Sequence, residues 1–528
     1  PAQIVATNEW IGRWFRPQPQ TATYTPVEHA GVNPFGINVF LEQEVEIEKR
    51  EQIVRMASEA GFVWLRQEFP WEDIEIHGPG DFEDRRNDRD GDGEITEADI
   101  VSAWDKYDNI VDIVDEYDMR LMVRLSNPPD WTHANEDSGD KGPPDNLEDY
   151  INFVVVVAER YQGRIHHYQI WNEPNIFPEW GNRDVNAADY VEMLCESYAA
   201  LKAIDPEIVV ITGPIAPTVS MTYRDLHDFI YLQLMFDAGA ADCFDVLSMQ
   251  GYGLNSGPTD RRLRPTTINF NRVLYVRDLL VSYGHPDKAI WISEAAWNPV
   301  PNDPNISNRE QFGVVTEEQA ARYMVQAYQR QQQEWPYTGV MFYWFFKRAS
   351  DAEQNQSWYY FRMTEPDFTP LPVYDAMVDY TSSMTPTLYK GVHQADHWAI
   401  NHGDDAEVVE ADGAEFGEAI DTQRVDFTVR GTVLRVRWQS DGELQLEADG
   451  QTRVLDSATD ADGWQTTQVR LGWLPQTQSF TLTSGEAFNL DSITVYDNTT
   501  RNAVILGVGV LIGVISGVWA AIRRRRLN

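Results

Sequence analysis

The sequence predicts a (β/α)8 barrel of the α/β class, followed by a small all-β sandwich and one C-terminal transmembrane helix. Between residues 36 and 346, eight short apolar runs alternate with amphipathic helical segments. Nearly continuous apolar strands separated by helices are typical of a parallel sheet that is covered on its outer face. After about residue 395 the runs shorten and begin to alternate, and an uncharged run follows near the C-terminus.

The barrel prediction depends on the eight apolar runs and on the helices between them. One helix has apolar residues Leu147, Val154 and Ala158 at helical spacing, as expected for a helix that covers a sheet. We therefore assign residues 36–394 to the barrel and residues 1–35 to an N-terminal extension. The predicted strands are 36–40, 62–66, 120–125, 165–171, 208–213, 244–250, 289–293 and 339–345.

The all-β prediction covers residues 395–497. Several of its short runs alternate with period two, and Gly, Asp and Ser turns separate them, which is typical of a β-sandwich. A polar stalk, residues 498–502, precedes the uncharged run. The predicted strands are 425–429, 432–438, 443–447, 465–471, 480–483 and 492–496.

The C-terminal run, residues 503–522, is long enough to cross a bilayer. Twenty helical residues at about 1.5 Å each span a hydrocarbon core of roughly 30 Å. Four arginines, 523–526, follow at once, and the positive-inside rule places them in the cytoplasm with the preceding residues outside the cell. Gly509, Gly513 and Gly517 form a ridge of small residues that could pack against a membrane-protein partner. Because the chain begins at Pro1 without a hydrophobic leader, we expect that an export signal has been removed or is missing from this sequence.

Charge and cysteine content restrict the function classes. The chain has 42 basic and 83 acidic residues, a net charge of −41, which repels phosphate backbones and argues against a nucleic-acid partner. Cys195 and Cys243 are the only cysteines, and their surroundings show no zinc-ligand spacing. We expect two buried thiols, with a single disulfide as the alternative.

Two glutamates occupy related positions in the predicted barrel. Glu173 belongs to a Trp-Asn-Glu-Pro-Asn motif at 171–175 after the fourth strand, and Glu294 ends the seventh strand. Both therefore face the C-terminal mouth, where barrel active sites are built. Cleavage of a glycosidic bond needs two carboxyl groups flanking that bond, and a separation of about 5–5.5 Å gives retention of configuration. Either residue alone could be structural, Glu173 at a helix start and Glu294 as an arginine partner, but their joint placement favours catalysis.

The pentapeptide after strand 4, with a second Glu ending strand 7, resembles the clan A retaining glycoside hydrolases. Residues 30–390 are similar in layout to the cellulase-like and β-xylosidase-like members of that clan. The resemblance implies that Glu173 is the general acid/base and Glu294 the nucleophile. It also implies that Asn172 hydrogen-bonds the sugar 2-OH, a contact that strengthens in the transition state.

The same resemblance implies three further site residues. Arg66, at the end of strand 2, matches a basic residue beside the nucleophile, where its charge favours an ionised carboxylate. Tyr252, just past strand 6, is implied to hydrogen-bond the nucleophile, and Trp344 on strand 8 to form the floor of the subsite before the scissile bond. The sequence departs from many members at Gln250, where they have histidine.

The long interval after strand 2 contains an acidic repeat at 88–99 that resembles an EF-hand or dockerin calcium loop. Alternating acidic side chains can converge on a hard cation, and Gly93 permits the sharp turn between them. The last position is Asp99 instead of the usual Glu, and a solvated acidic loop is the alternative interpretation. A bound calcium ion would rigidify the loop over the barrel mouth, whereas catalysis is expected to need no cofactor. The expected ligands are Asp88, Asp90, Asp92, Glu94 and Asp99.

These observations predict an extracellular, membrane-anchored retaining hydrolase that acts on a polysaccharide, an oligosaccharide or another glycoside. One alternative is an inactive barrel that serves as the binding or scaffold ectodomain of a membrane complex, and another is a transglycosylase of the cell wall or capsule. The all-β domain is either a spacer, which we favour, or a carbohydrate-binding module. In the second case Trp438, Trp464 and Trp473 are the candidate sugar platforms.

Overall fold

The computed structural model describes residues 18–88, 94–134, 139, 141–404, 406–460, 462–507 and 514. The chain forms two compact units. Unit 1 contains Asn33–Gln331 and Tyr337–Met384, and unit 2 contains Thr23–Val32, 332–336 and the residues from Thr385 onward. Part of the segment that the sequence suggested as an N-terminal extension therefore belongs to unit 2.

Unit 1 is a closed barrel of eight parallel strands in the order β1-β2-β3-β4-β5-β6-β7-β8, with β8 paired to β1. All eight predicted strands are present, so the barrel prediction is confirmed. Their apolar residues are buried because helices cover the outer face of the sheet and side chains fill its interior. The strands are β1 (Phe35–Val39), β2 (Trp64–Pro70), β3 (Arg120–Ser126), β4 (His167–Ile170), β5 (Val209–Thr212), β6 (Val246–Gln250), β7 (Ala289–Ala295) and β8 (Thr338–Tyr343).

One α-helix follows each barrel strand among the described residues. The third helix begins at Leu147 and is capped by Asn146, whose side chain accepts a hydrogen bond from the backbone N–H of Glu148. Val154 and Ala158 of its predicted stripe are buried, together with Phe153 and Val157. The helices are α1 (Ile47–Glu59), α2 (Trp104–Glu116), α3 (Leu147–Arg160), α4 (Ala187–Ile204), α5 (Asp228–Asp237), α6 (Val273–Ser282), α7 (Glu317–Glu334) and α8 (Pro372–Ser383).

The expectation of two free thiols is wrong, because Cys195 and Cys243 form a disulfide. Cys195 lies on α4, and Cys243 ends a short 3-10 helix, Ala240–Cys243, that leads into β6. Their Cα atoms are 4.7 Å apart, within the range that a disulfide requires. The tertiary packing of α4 against this turn joins two cysteines that are 48 residues apart in sequence.

Unit 2 is all-β, as predicted, but its strands belong to one hydrogen-bonded sheet instead of two separate ones. The reason is that two strands, β12 and β18, are much longer than predicted, and β18 pairs with four other strands. The sheet encloses a hydrophobic core that includes Val425, Phe480 and Leu490. The strands are β9 (Gly391–Gln394), β10 (Ile400–His402), β11 (Glu407–Glu410), β12 (Glu418–Gly431), β13 (Val433–Gln439), β14 (Leu444–Ala448), β15 (Gln451–Val454), β16 (Ala458–Thr459), β17 (Gln465–Arg470) and β18 (Gln476–Tyr496).

Two of the three candidate sugar platforms in unit 2 are core residues. Trp438 is 2% exposed and Trp464 is 1% exposed, so neither can present a ring face to a ligand in solvent. Trp473 is 48% exposed and contacts the Arg470 guanidinium at 4.8 Å from its ring centre.

The structure describes only residues 503–507 and 514 of the proposed membrane span. The glycines at 509, 513 and 517 and the arginines at 523–526 lie outside the described residues. Within the part of the chain that is described, no helix has the length and apolarity needed to cross a membrane.

Candidate active site

Glu294 lies near the carboxyl end of β7 and is 4% exposed. Its Oε1 accepts a hydrogen bond of 2.9 Å from Arg66 Nη1. Its Oε2 accepts one of 2.9 Å from Gln250 Nε2 and another of 2.8 Å from the Tyr252 hydroxyl. One cation and two neutral donors therefore surround this buried carboxylate, an arrangement that complements a negative charge.

Arg66, on β2, connects four polar side chains at the mouth of the barrel. Besides Glu294, its guanidinium donates to Oδ1 of Asn38 at 2.8 Å, to Oε1 of Gln169 at 2.8 Å and to Oδ1 of Asn172 at 3.1 Å. Because these acceptors come from β1, β4 and the loop after β4, one buried arginine fixes the relative positions of residues on several barrel strands.

Asn172 and Glu173 follow β4 directly. Trp171 and Glu173 both have positive φ angles, 71° and 37°, which L residues rarely adopt. Such backbone geometry is concentrated at functional sites, where the surrounding structure holds it in place. Trp171 is fixed by burial and by a hydrogen bond from its indole N–H to the backbone carbonyl of Glu179. The turn therefore holds Glu173 at a defined position, where the charge of Glu294 acts on its carboxyl group.

Glu173 has an ionisation behaviour unlike that of an ordinary glutamate. Burial, followed by the negative charges of Glu294 and Glu179, raises its pKa to about 8, while a hydrogen bond from Gln250 and the charge of Lys141 act in the opposite direction. Glu173 is thus mostly protonated at neutral pH. The two carboxyl groups therefore occupy different environments. That of Glu173 favours the protonated form, whereas hydrogen-bond donors surround Glu294.

Tyr252 and Gln250 are placed by the end of β6 and the residues that follow it. Burial, and then the charge of Glu294, raise the pKa of Tyr252 well above its ordinary value, so its hydroxyl keeps its proton and remains a donor. Gln250 is buried. Its amide donates a hydrogen bond to Oε2 of Glu294, and a hydrogen bond from the same side chain acts to lower the pKa of Glu173. The sequence marked Gln250 only as a departure from the glycoside hydrolases that it resembles, and a contact with both glutamates could not be predicted from it.

Trp344 comes directly after β8, where its backbone N–H donates to the carbonyl of Ala295, the residue after Glu294. Its ring packs edge-on against Phe40 and Phe345, with ring centres 5.6 Å apart in each case. The indole is half-buried, so part of it remains open at the mouth of the barrel. An aromatic ring in this position can pack against the apolar face of a sugar.

Sequence analysis missed two ion pairs at the same end of the barrel. Glu68 near the end of β2 pairs with Arg124 on β3, and its other oxygen accepts from the Ser126 hydroxyl at 2.7 Å. Burial opposes ionisation of Glu68, but Arg124 and Ser126 outweigh it and lower its pKa. Lys141 and Glu179 form the second pair at 2.7 Å. Glu68 and Arg124 are charged residues within otherwise apolar strands, which is a signal that the sequence does contain, whereas Lys141 and Glu179 lie in loops with no local signal.

The predicted calcium ligands are only partly described. Asp90 and Asp92 lie outside the described residues, whereas Asp88 and Glu94 are exposed. Asp99 is buried, and its Oδ2 accepts hydrogen bonds from the backbone N–H and the hydroxyl of Thr96, at 2.8 and 3.1 Å. Among the described residues, no group of three or more His, Cys, Asp or Glu side chains is arranged to hold a metal ion.

The fold is similar to several solved structures of glycosidases. A family 39 glycoside hydrolase from Bacteroides cellulosilyticus WH2 is 15% identical with a TM-score of 0.46, and the match covers 87% of this chain and 83% of that one. A GH39 enzyme from Xanthomonas axonopodis pv. citri is 14% identical with a TM-score of 0.46, and the match covers 90% of this chain and 98% of that one. A glucosidase from Croceicoccus marinus is 13% identical with a TM-score of 0.46, and the match covers 88% of this chain and 99% of that one.

No protein-family model matches the chain, and no curated protein matches it. Identities and TM-scores as low as those of the solved structures carry no argument about activity. The side chains at the mouth of the barrel therefore determine which chemistry the chain can perform.

Proposed function

We propose that the protein is a retaining glycoside hydrolase that cleaves O-glycosidic bonds by double displacement, with Glu294 as nucleophile and Glu173 as general acid/base. One observation carries the proposal: donors from Arg66, Gln250 and Tyr252 surround Glu294, while the pKa of neighbouring Glu173 is raised to about 8. Retaining chemistry requires this division between a charged and a protonated carboxyl group.

In the first step, a Glu294 oxygen attacks the anomeric carbon while Glu173 gives its proton to the leaving oxygen. The bond between the anomeric carbon and that oxygen breaks, and a covalent glycosyl ester forms on Glu294. In the second step, the Glu173 carboxylate takes a proton from water. The resulting hydroxide equivalent attacks the anomeric carbon and releases Glu294, so both residues return to their starting states.

Asn172 is suited to bind the sugar during both steps. Its Oδ1 accepts from Arg66, which orients the amide and leaves its Nδ2 as the group that can donate to a sugar hydroxyl. Trp344 supplies an apolar surface on another side of the cleft. Together these residues form the proposed glycoside-binding site.

The decisive experiment is covalent trapping with a panel of aryl 2-deoxy-2-fluoro-β-glycosides. The fluorine slows both steps, and a good leaving group restores the first, so the glycosyl ester accumulates and is detected by mass spectrometry on the peptide containing Glu294. Glu294→Gln should give no adduct and no turnover. Glu173→Ala should lose about 10²–10⁴-fold in rate and recover turnover with azide, which needs no general base. Glu159→Gln, an exposed glutamate on α3, is the matched control.

Two other functions would use the same fold. An inactive scaffold would form no adduct with any fluorinated glycoside, but it offers no reason for a protonated Glu173 beside a donor-surrounded Glu294. A transglycosylase would label at Glu294 but give products longer than the substrate when acceptor sugar is added. Product analysis with and without acceptor therefore separates hydrolysis from transfer.

We also propose that residues 503–522 anchor the chain in the cell membrane, with the preceding residues outside the cell and the C-terminus in the cytoplasm. The uncharged run and the four arginines that follow it support this. The Cys195–Cys243 disulfide supports an oxidising compartment. Resistance of membrane-bound protein to carbonate extraction, with cleavage of the barrel by protease added to intact cells, tests both parts. Release by carbonate would contradict the anchor.

Calcium binding by the 88–99 loop remains a further proposal, supported by the spacing of its acidic residues. A melting scan of the chain in calcium and in chelator tests it. The proposal expects a lower midpoint in chelator that is restored by added calcium, and the Asp88→Asn variant should lose that response. An unchanged midpoint would remove the proposed structural site.

A further inference from the structure

Unit 2 contains a groove of about 620 Å³ that lies across its sheet. Strands β12 and β18 form the floor, residues 398–401 with 385–386 form one wall, and residues 447–449 form the other. The volume is in the range of about 300–1,000 Å³ that is common for small-molecule sites. All of its lining residues belong to unit 2.

The floor presents hydroxyl and carboxylate groups because neighbouring residues on a strand point to opposite faces. Phe427 and Phe480 lie opposite each other in the strand pair and are buried in the core. The pairs on either side, Asp426 with Thr481 and Thr428 with Ser479, therefore project into the groove. The two residues within each pair are hydrogen-bonded to one another, at 2.9 Å between the hydroxyls of Thr428 and Ser479.

These floor residues keep further hydrogen-bonding capacity. A hydroxyl has one donor and two acceptor positions, and a carboxylate has about four acceptor positions. The contacts within each pair use only part of that capacity, although Asp426 also accepts hydrogen bonds of 2.8 and 3.0 Å from the Arg424 guanidinium, so the hydroxyls supply most of what remains. A ligand with many hydroxyl groups could therefore bind along the floor without leaving the strand residues unsatisfied.

The walls add an aromatic ring and an amide on one side and acidic groups on the other. Trp398 is half-buried; it packs against the hydrophobic core and also lines the groove. Asn401, on the same wall, is exposed and can both donate and accept. Glu447 and Asp449 on the opposite wall are exposed and would repel an anionic ligand.

We propose that this groove binds a chain of neutral sugar residues, as an accessory glycan site separate from the barrel cleft. Closely spaced donors and acceptors beside an indole match the alternating hydroxyl edges and apolar faces of sugar rings. The exposed carboxylates of Glu447 and Asp449 disfavour uronic-acid polymers, whose own carboxylates they repel. The inference rests on the proposed hydrolase function for its biological purpose, which is to hold a polysaccharide near the enzyme. It also places the aromatic platform at Trp398 instead of at the buried Trp438 and Trp464.

The test uses the full chain carrying Glu294→Gln, so that the probe is not consumed. Affinity electrophoresis with mixed-linkage β-glucan, galactomannan, arabinoxylan and polygalacturonate measures retention. The proposal expects retention by at least one neutral polysaccharide and none by polygalacturonate. Trp398→Ala should weaken that retention at least tenfold, and Asn401→Ala, a change of an exposed side chain, should weaken it as well. Trp473→Ala, which removes an exposed tryptophan elsewhere in unit 2, should leave retention unchanged.

Three results would overturn the proposal that this groove binds glycans. They are no retention by any neutral polysaccharide, retention that both groove variants preserve, or an equal loss of retention with Trp473→Ala. Failure of the hydrolase proposal gives a different result, because aryl glycosides would then stay uncleaved while Trp398-dependent retention persists. In the otherwise unsubstituted chain, Trp398→Ala should leave kcat/KM for an aryl glycoside unchanged and lower the rate on the retained polysaccharide.

Discussion

Gln250 Nε2 lies 2.9 Å from Oε2 of Glu294, and a hydrogen bond from the same side chain lowers the pKa of Glu173. One amide therefore stabilises negative charge on both carboxyl groups. Gln250→Ala should reduce kcat/KM about 10–100-fold, since a hydrogen bond to a charged group contributes roughly 1.5–3 kcal/mol. It should also move the basic limb of the pH profile upward, because the loss of this donor raises the pKa of Glu173.

The combination of the two effects separates a positioning role from simple damage to the fold. Gln162→Ala, on the outside of the barrel, is the control. Among the contacts described, the Gln162 side chain donates only to the backbone carbonyl of Ile204. This variant should change neither kcat/KM nor the position of the basic limb. If Gln250→Ala lowers the rate but leaves the basic limb unmoved, the amide does not act on Glu173.

The pH dependence of the unsubstituted enzyme should report Glu173 directly. Its proton is needed in the first step and its pKa is raised to about 8, so the basic limb of kcat/KM should begin near that value and fall tenfold per pH unit well above it. Steady-state kinetics from pH 5 to 10 measure this limb. Glu173→Gln with a dinitrophenyl glycoside, whose leaving group needs no proton, should abolish it. A limb that persists in this variant would belong to another group.

The raised pKa of Glu173 also makes the folding stability of the protein depend on pH. An unfolded glutamate ionises near its ordinary pKa, whereas folded Glu173 holds its proton up to about pH 8, so folding requires proton uptake between those values. The stability contribution of Glu173 is present at low pH and is lost as pH rises toward 8. Glu173→Gln should therefore melt higher than the unsubstituted chain at pH 7, and the difference should disappear near pH 4.

The sequence predicted the barrel well because buried parallel strands are nearly continuous apolar runs. It was less successful at the strand ends, where polar residues line the mouth. Strand β2 was predicted to end at Arg66 but continues to Pro70. Gln67 within that extension is buried, and its Oε1 accepts from the backbone N–H of Leu41, a long-range contact that local pattern does not reveal.

The candidate site shows the same limit. The Trp-Asn-Glu-Pro-Asn motif and the strand-7 glutamate identified two positions from local sequence alone. The contact of Gln250 with both glutamates and the Lys141–Glu179 pair depend on where loops pass in three dimensions. For the same reason, aromatic composition could not distinguish core residues such as Trp438 from Trp398, which lines a groove.

Arg66 should be essential for stability as well as for activity. Arg66→Ala leaves the Glu294 charge buried without its cation, a change that typically costs about 3–5 kcal/mol in the free energy of unfolding. The double variant Arg66→Ala/Glu294→Gln should be less destabilised than Arg66→Ala alone, because a neutral amide needs no cation. Urea denaturation followed by circular dichroism measures both.

An exposed ion pair provides the matched control for Arg66. Arg55 and Glu59 on α1 lie 2.9 Å apart, with 45% and 54% of their side chains exposed, so solvent screens their attraction. Arg55→Ala should change the unfolding free energy by about 0–1 kcal/mol. Equal losses from Arg55→Ala and Arg66→Ala would contradict the view that burial makes the Arg66–Glu294 pair sensitive.

The Cys195–Cys243 disulfide should stabilise unit 1 without contributing to the chemistry. It joins α4 to the turn before β6 across a sequence separation of 48, and loop-closure entropy gives about 4 kcal/mol for a loop of that length. Cys195→Ser/Cys243→Ser should therefore lower the denaturation midpoint while leaving kcat/KM at 25 °C unchanged, because neither cysteine contacts the described residues around Glu173 and Glu294. Reductant should lower the midpoint of the unsubstituted protein to that of the double variant and have no effect on the variant itself. Alkylation of both cysteines in the native, unreduced protein would contradict the bridge.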